Sequence, residues 1–144
     1  MSNDDDVVIR GILIDGIAEV SIGSERLTLP PLRRDEARHS PAGFNWGYSG
    51  SGPAELARAV LIACCPDDDF VRQPYVYQSF KAVYVSVIRT EAWALRRSEV
   101  RRWVERVKST DAGRRILHDL EERRRLDAEI ARLDEAERRE AASS

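Results

Sequence analysis

The chain predicts an α+β fold: an N-terminal three-stranded antiparallel meander covered by about three helices, followed by a charged C-terminal helix. Three observations carry this. Residues 7–29 alternate apolar and polar side chains in short runs broken by Asp15-Gly16 and Gly23-Ser24, the pattern of half-buried strands joined by tight turns. Between Pro53 and Lys108 apolar side chains instead recur at helical spacing, as they do where one helix face is buried. Beyond Arg114 the chain is mostly Arg, Glu and Asp around a thin apolar line.

Taken in order, Val7 to Ile14 is rich in branched residues and stops at Asp15-Gly16, a strong hairpin pair. Ile17 to Ile22 alternates, so one face is buried. Arg26 to Leu29 alternates again before Pro30-Pro31, which cannot donate to a ladder and ends the pairing. Such a small sheet is marginal alone and needs a cover on one face. Leu32 to Ser40 is polar and basic, a loop or a single helical turn, and Pro41 biases Ser40 toward an extended conformation.

The stretch from His39 to Ala57 holds four of the chain's eight glycines. Phe44, Trp46 and Tyr48 fall at alternate positions, which in an extended chain places them on one side. A helix then begins, with Gly52 as N-cap, Pro53 at the first helical position and Glu55 in the first turn, where the dipole favours an acid. Leu56, Val60, Leu61 and Cys64 form its inner face, and Pro66-Asp-Asp-Asp69 ends it.

Tyr77 to Ile88 fits both a strand, through the alternation of Ala82 to Ile88, and a helix, through Tyr77, Phe80, Tyr84, Val87 and Ile88. The absence of any turn residue from Tyr75 to Ala94 favours helix. Trp93-Ala-Leu95 reads as a short extended piece, and Ser98 as the cap of a helix with Val100, Trp103, Val104 and Val107 inward. Ser109 to Gly113 breaks the chain, giving a compact domain over 7–108 and a charged helix over 114–142. On that helix Ile116, Leu117, Leu120, Leu126, Ile130 and Leu133 make an apolar line, interrupted where a coiled-coil seam would want apolar side chains by Arg123 and Glu137. It is either a solvated helix or a dimerisation arm.

Composition excludes several classes. The 144 residues carry 33% charged side chains, yet the net charge is only −2, so the whole molecule does not attract nucleic acid or anionic lipid. No apolar run approaches spanning length, and Met1 to Asp6 is acidic rather than signal-like; the expectation is a cytoplasmic chain with no membrane partner. Cys64 and Cys65 are adjacent and lack the spacing of a zinc site. His39, with Asp35 and Glu36, has no recognised metal-ligand spacing, and His39 beside Ser40 has no defined third partner for nucleophilic catalysis. Neither metal nor cofactor is expected, and the protein reads as a binding protein rather than an enzyme.

The segment Gly43-Phe-Asn-Trp-Gly-Tyr-Ser-Gly-Ser-Gly-Pro-Ala-Glu-Leu-Ala57, with Tyr77-Gln-Ser-Phe-Lys81 and Trp93-Ala-Leu95, resembles a family of small proteins of unknown function. That family is found in bacterial, archaeal, plasmid and phage genomes and shares Gly-Phe-x-Trp-Gly-Tyr-x-Gly-Ser-Gly-Pro-Ala-x-Leu-Ala. The resemblance spans about Arg10 to Val107, leaves the charged tail outside, and supports helix for Tyr77 to Ile88. It implies no activity. A frequent home on mobile elements implies a role in conflict between host and invader, such as counter-defence.

Glycines ahead of a helix N-terminus let an anion reach unpaired backbone N–H groups. Tyr48 to Ala54 has that form but is no P-loop, since no Gly-Lys-Ser/Thr follows, and it lacks both the dinucleotide glycine spacing and Gly-x-Ser-x-Gly. The candidate ligand site is therefore Arg38, His39, Phe44, Trp46, Tyr48, Ser49, Gly50, Ser51 and Gly52. Serines and amides would hold a phosphate-bearing, nucleotide-like small molecule, an aromatic face would hold a base, and Arg33, Arg34 or Arg38 would add charge. The competing reading is a tight turn with core aromatics. A host protein is the other partner expected of this surface. Nucleic acid is the second class, through Arg97, Arg101, Arg102 and Arg106; a structural protein dimerising through the tail is the third.

Overall fold

The computed structural model describes residues 7–143. Strands β1 (Val8–Ile14) and β2 (Ile17–Ile22) form a hairpin. Its turn takes positive φ at both Asp15 (52°) and Gly16 (79°), which matches the right-handed twist of the strands it joins. Strand β3 (Glu25–Arg26) follows and is shorter than the expected run to Leu29. Leu27 N–H still donates to the Val20 carbonyl at 2.8 Å, and the chain then leaves the sheet ahead of its two prolines.

The sheet has four strands, not three. Strand β4 (Ala92–Arg96) adds to the free side of β1, giving the order β3-β2-β1-β4 with every neighbour antiparallel. This is the extended piece expected at Trp93. Gly11 lies opposite Trp93 in the ladder, and a Cβ at Gly11 would sit 2.2 Å from the indole nitrogen. The glycine is what lets the ring cross β1. One face of the hairpin turns inward through Ile9 and Val20, while Ile12, Ile14 and Ile17 on the outer side stay exposed.

Helix α1 (Ser51–Cys64) is the centre of the fold, with eleven of its fourteen residues buried. It starts two residues before the expected cap: the N-cap is Gly50, extended and without a side-chain hydrogen bond. Pro53 therefore occupies the third helical position, where its missing N–H is still one no helical carbonyl would accept. Burial pushes the Cys64 thiol up to about 12, so it stays protonated and unreactive. A 3₁₀ turn (Asp69–Arg72) leads into helix α2 (Pro74–Phe80). The helical reading of Tyr77 onward holds with two differences: Lys81–Val85 is π-helical, with Ser86 N–H bonding the carbonyl five residues back at Lys81, and the helical segment ends at Val85, short of the expected Ile88, leaving Val87 exposed.

Helix α3 (Arg97–Lys108) begins one residue before Ser98, which is its second residue rather than its cap. Val100, Trp103 and Val104 are buried as expected, and Val107 is half-buried. Phe80 packs its ring on Tyr84 and edge-on to Trp103, at centroid distances of 4.9 and 5.2 Å. The chain divides after Arg106 into two units, the second beginning at Val107. Within that second unit the break is only Ser109 and Thr110. Helix α4 (Asp111–Ser143) then runs to the end of the described residues. Gly113 lies inside it, where a Cβ would fall 1.8 Å from the Val107 carbonyl oxygen.

Candidate functional site

Residues 43–52 are bent by two glycines at positive φ, Gly43 (114°) and Gly47 (86°). Those reversals break the alternation expected of an extended chain, so the three aromatics do not share a side. Trp46 is 6% exposed, donates its indole N–H to the Thr90 carbonyl at 3.0 Å and meets Trp93 edge-on. It is a core residue, and Phe44 is half-buried. Tyr48 turns outward, 48% exposed. Its ring lies where a side chain at Gly50 would stand, whereas a Cβ at Gly52 would meet Asn45 at 2.9 Å and the Tyr48 hydroxyl at 3.1 Å. Gly47 N–H donates to the Val85 carbonyl at 3.1 Å, and Arg89 donates to the Gly47 carbonyl at 3.2 Å. The loop is thus held by the π turn.

What remains open is the start of α1. Ser49 and Ser51 are exposed, and among the described residues the Ser51 and Gly52 N–H groups find no acceptor. Phe44, Asn45, Tyr48, Ser51 and Gly52 line one side of a cavity of about 630 Å³, whose other side is Ala18, Arg26 and Thr28. Two backbone donors, the hydroxyl residues Thr28, Ser40 and Ser51, a phenol and one guanidinium thus border one concave space, a set suited to an anion joined to a flat apolar group.

Three side chains expected to serve that site are engaged elsewhere. Arg38 pairs with Glu55 at 3.3 Å and Arg33 with Asp69 at 2.5 Å. His39 sets its Nε2 2.8 Å from the Tyr77 hydroxyl, while its backbone N–H donates to Glu55 at 2.8 Å. Apart from the exposed Arg33–Asp69 pair, these contacts belong to a second, interior constellation. Glu55 is 0% and Arg58 1% exposed. Arg58 bridges two carboxylates, Glu36 at 2.6 Å and Glu55 at 3.5 Å. Arg72 reaches the same Glu36 oxygen at 2.7 Å, as does the Arg33 N–H at 2.9 Å. Ser40 N–H adds to Glu55 at 3.3 Å. Two acids and three guanidiniums therefore fasten the polar loop of residues 33–40 onto α1.

Sequence reasoning assigned Glu55 to the helix dipole and missed this cluster. The available signal was Glu55 and Arg58, three residues apart among Leu56, Ala57, Ala59 and Val60: charges inside an otherwise apolar helix are paired inside the fold. Burial would raise the Glu36 carboxyl, but the Arg33 N–H and the Arg72 and Arg58 guanidiniums outweigh it and hold the group below the usual range. The folded chain then binds fewer protons than the unfolded one, so this stabilisation is full above the ordinary glutamate pKa of about 4.3 and is lost as pH falls through the lowered value. Calorimetry should show the melting temperature falling on acidification below that pKa, with a shallower acid limb in Glu36→Gln. Burial also raises the Tyr77 phenol, which keeps it protonated beside His39.

The arginines of α3 divide. Arg97 and Arg101 are half-buried, Arg101 donating to the Cys64 carbonyl at 2.8 Å, whereas Arg102 and Arg106 are exposed. Among the described residues no three His, Cys, Asp or Glu are grouped to hold a metal, and no helix is long and apolar enough to cross a membrane. Residues 10–106 match the family described as a family of unknown function (DUF6166). Neither the curated proteins nor the solved structures gave a match.

Proposed function

We propose, for a chain that belongs to this family of unknown function (DUF6166), that it is a non-catalytic binding protein for a phosphate-bearing, nucleotide-like small molecule. One observation carries the reading: the uncapped start of α1, with the unpaired Ser51 and Gly52 N–H groups, borders a cavity of about 630 Å³, within the range of small-ligand pockets. The phosphate sits on those donors and the Ser51 hydroxyl, where the helix dipole favours negative charge. The base lies against Tyr48, and Arg26 closes the anionic side. On a mobile element, such capture would remove a nucleotide signal from the host.

The test is a panel of inorganic phosphate and mononucleotides, followed by calorimetric titration and melting temperature. Ligand at a hundredfold over its Kd is expected to stabilise the fold by about 2.7 kcal/mol. Ser51→Asp places a carboxylate at an exposed first-turn position, which the helix tolerates, yet it repels the phosphate; affinity falls by about tenfold or more, the factor given by ~1.4 kcal/mol. A panel without any shift, or a Ser51→Asp variant that binds like the parent, defeats the reading. Salt-sensitive retention of DNA or RNA in place of mononucleotide binding would transfer the assignment to Arg102 and Arg106.

A further inference from the structure

Every residue of α4 from Glu121 to Ser143 is exposed. Along it Leu126, Ile130 and Leu133 lie 62%, 57% and 54% exposed, at the four-then-three spacing of a coiled-coil seam. We infer that this stripe is an interface for a second copy of the same chain, and that the two α4 helices run antiparallel.

Charge at the two ends of the stripe decides the occupant and its direction. Continuing the same spacing outward reaches Arg123 on one side and Glu137 and Glu140 on the other. The ion pairs within the helix lie off the seam: Arg125–Glu122 at 3.2 Å, Arg132–Glu129, and Arg138 and Arg139 on Glu135 at 3.6 and 3.3 Å. Arg123, Glu137 and Glu140 take no part in them, and their side chains have no ion pair among the described residues. A parallel pair would set Arg123 on Arg123 and Glu137 on Glu137, both repulsive. An antiparallel pair sets Ile130 of each helix against Leu133 of the other, covers Leu126 with the methylene stem of Glu137, and brings Arg123 opposite Glu140 at both ends. Residues 123–140 give a contact roughly 27 Å long. Asp127 and Asp134 approach across one flank, and their repulsion keeps the association weak and concentration-dependent.

Sedimentation equilibrium of the full chain across a hundredfold concentration range tests this. The expected mass rises toward twice that of the monomer. Ile130→Glu changes an exposed residue to another good helix former, so circular dichroism stays unchanged while the dimer dissociation constant rises by about tenfold or more, equivalent to ~1.4 kcal/mol. Arg123→Glu alone weakens association, and Arg123→Glu with Glu140→Arg restores it, as only the antiparallel register predicts. A monomeric mass at every concentration, a dimer indifferent to Ile130→Glu, or one indifferent to Arg123→Glu would each overturn the inference. None of these outcomes bears on phosphate binding at α1, so the two proposals fail separately.

Discussion

Replacing Arg58 with methionine will lower the unfolding free energy by about 3–5 kcal/mol, the usual result of removing one partner from a buried ion pair. The expected fall in melting temperature is roughly 10–20 °C for a chain of this length. Arg58 touches both Glu36 and Glu55, so its loss leaves charge behind in two places. Glu36 keeps Arg72 and the Arg33 N–H. Glu55, fully buried, keeps only Arg38 at 3.3 Å and the His39 and Ser40 N–H groups. Adding Glu55→Gln to Arg58→Met should therefore recover stability, because glutamine offers a neutral carbonyl oxygen to the same N–H groups. Urea unfolding of the two single variants and the double variant measures this coupling. A loss below about 1 kcal/mol in Arg58→Met would mean that water screens the cluster, contrary to its burial.

Phe80→Ala will cost a similar about 3–5 kcal/mol. Phe80 is 1% exposed, packs against Tyr84 and Trp103, and already borders an apolar cavity of about 130 Å³ lined by Val60, Tyr84, Val85 and Ile88. Truncation joins the lost ring volume to that space and leaves a larger, mostly apolar void. Benzene should then raise the melting temperature of Phe80→Ala by more than that of the parent. If the parent gains as much as the variant, the ring was not filling the space that benzene takes.

The hairpin was legible because its information is local. Asp15-Gly16 can adopt two consecutive positive φ values, and the alternation on either side sets the register. Helix α3 was legible for the same reason, since Val100, Trp103 and Val104 repeat within one turn. Features that depend on distant partners were not. Trp93-Ala-Leu95 suggested an extended piece, but nothing near it says that it pairs with β1, more than eighty residues earlier. Glu55 looked like a first-turn acid because its partners Arg38 and Arg58 matter only once the polar loop is folded back. At the candidate site the competing reading, a tight turn with core aromatics, holds for Gly43 and Gly47, which reverse the chain around buried Trp46, while Gly50 makes room for the Tyr48 ring and Gly52 lies against Asn45. Ser49 and Ser51 flank the N-cap Gly50 and are exposed, two residues ahead of the start that Gly52-Pro53 suggested.

The wide turn at Lys81–Val85 restricts the number of residues the chain can have there, beyond which residues they are. Its geometry exposes the Val85 carbonyl to Gly47 and puts Ile88 and Arg89 beside the same loop. Deleting one residue inside it would return the segment to ordinary winding and remove the wide turn that presents the Val85 carbonyl to Gly47. Length through this segment is therefore constrained by mechanics: a chain one residue shorter could keep each of its helices and still lose the turn that holds the loop carrying Ser49 and Ser51.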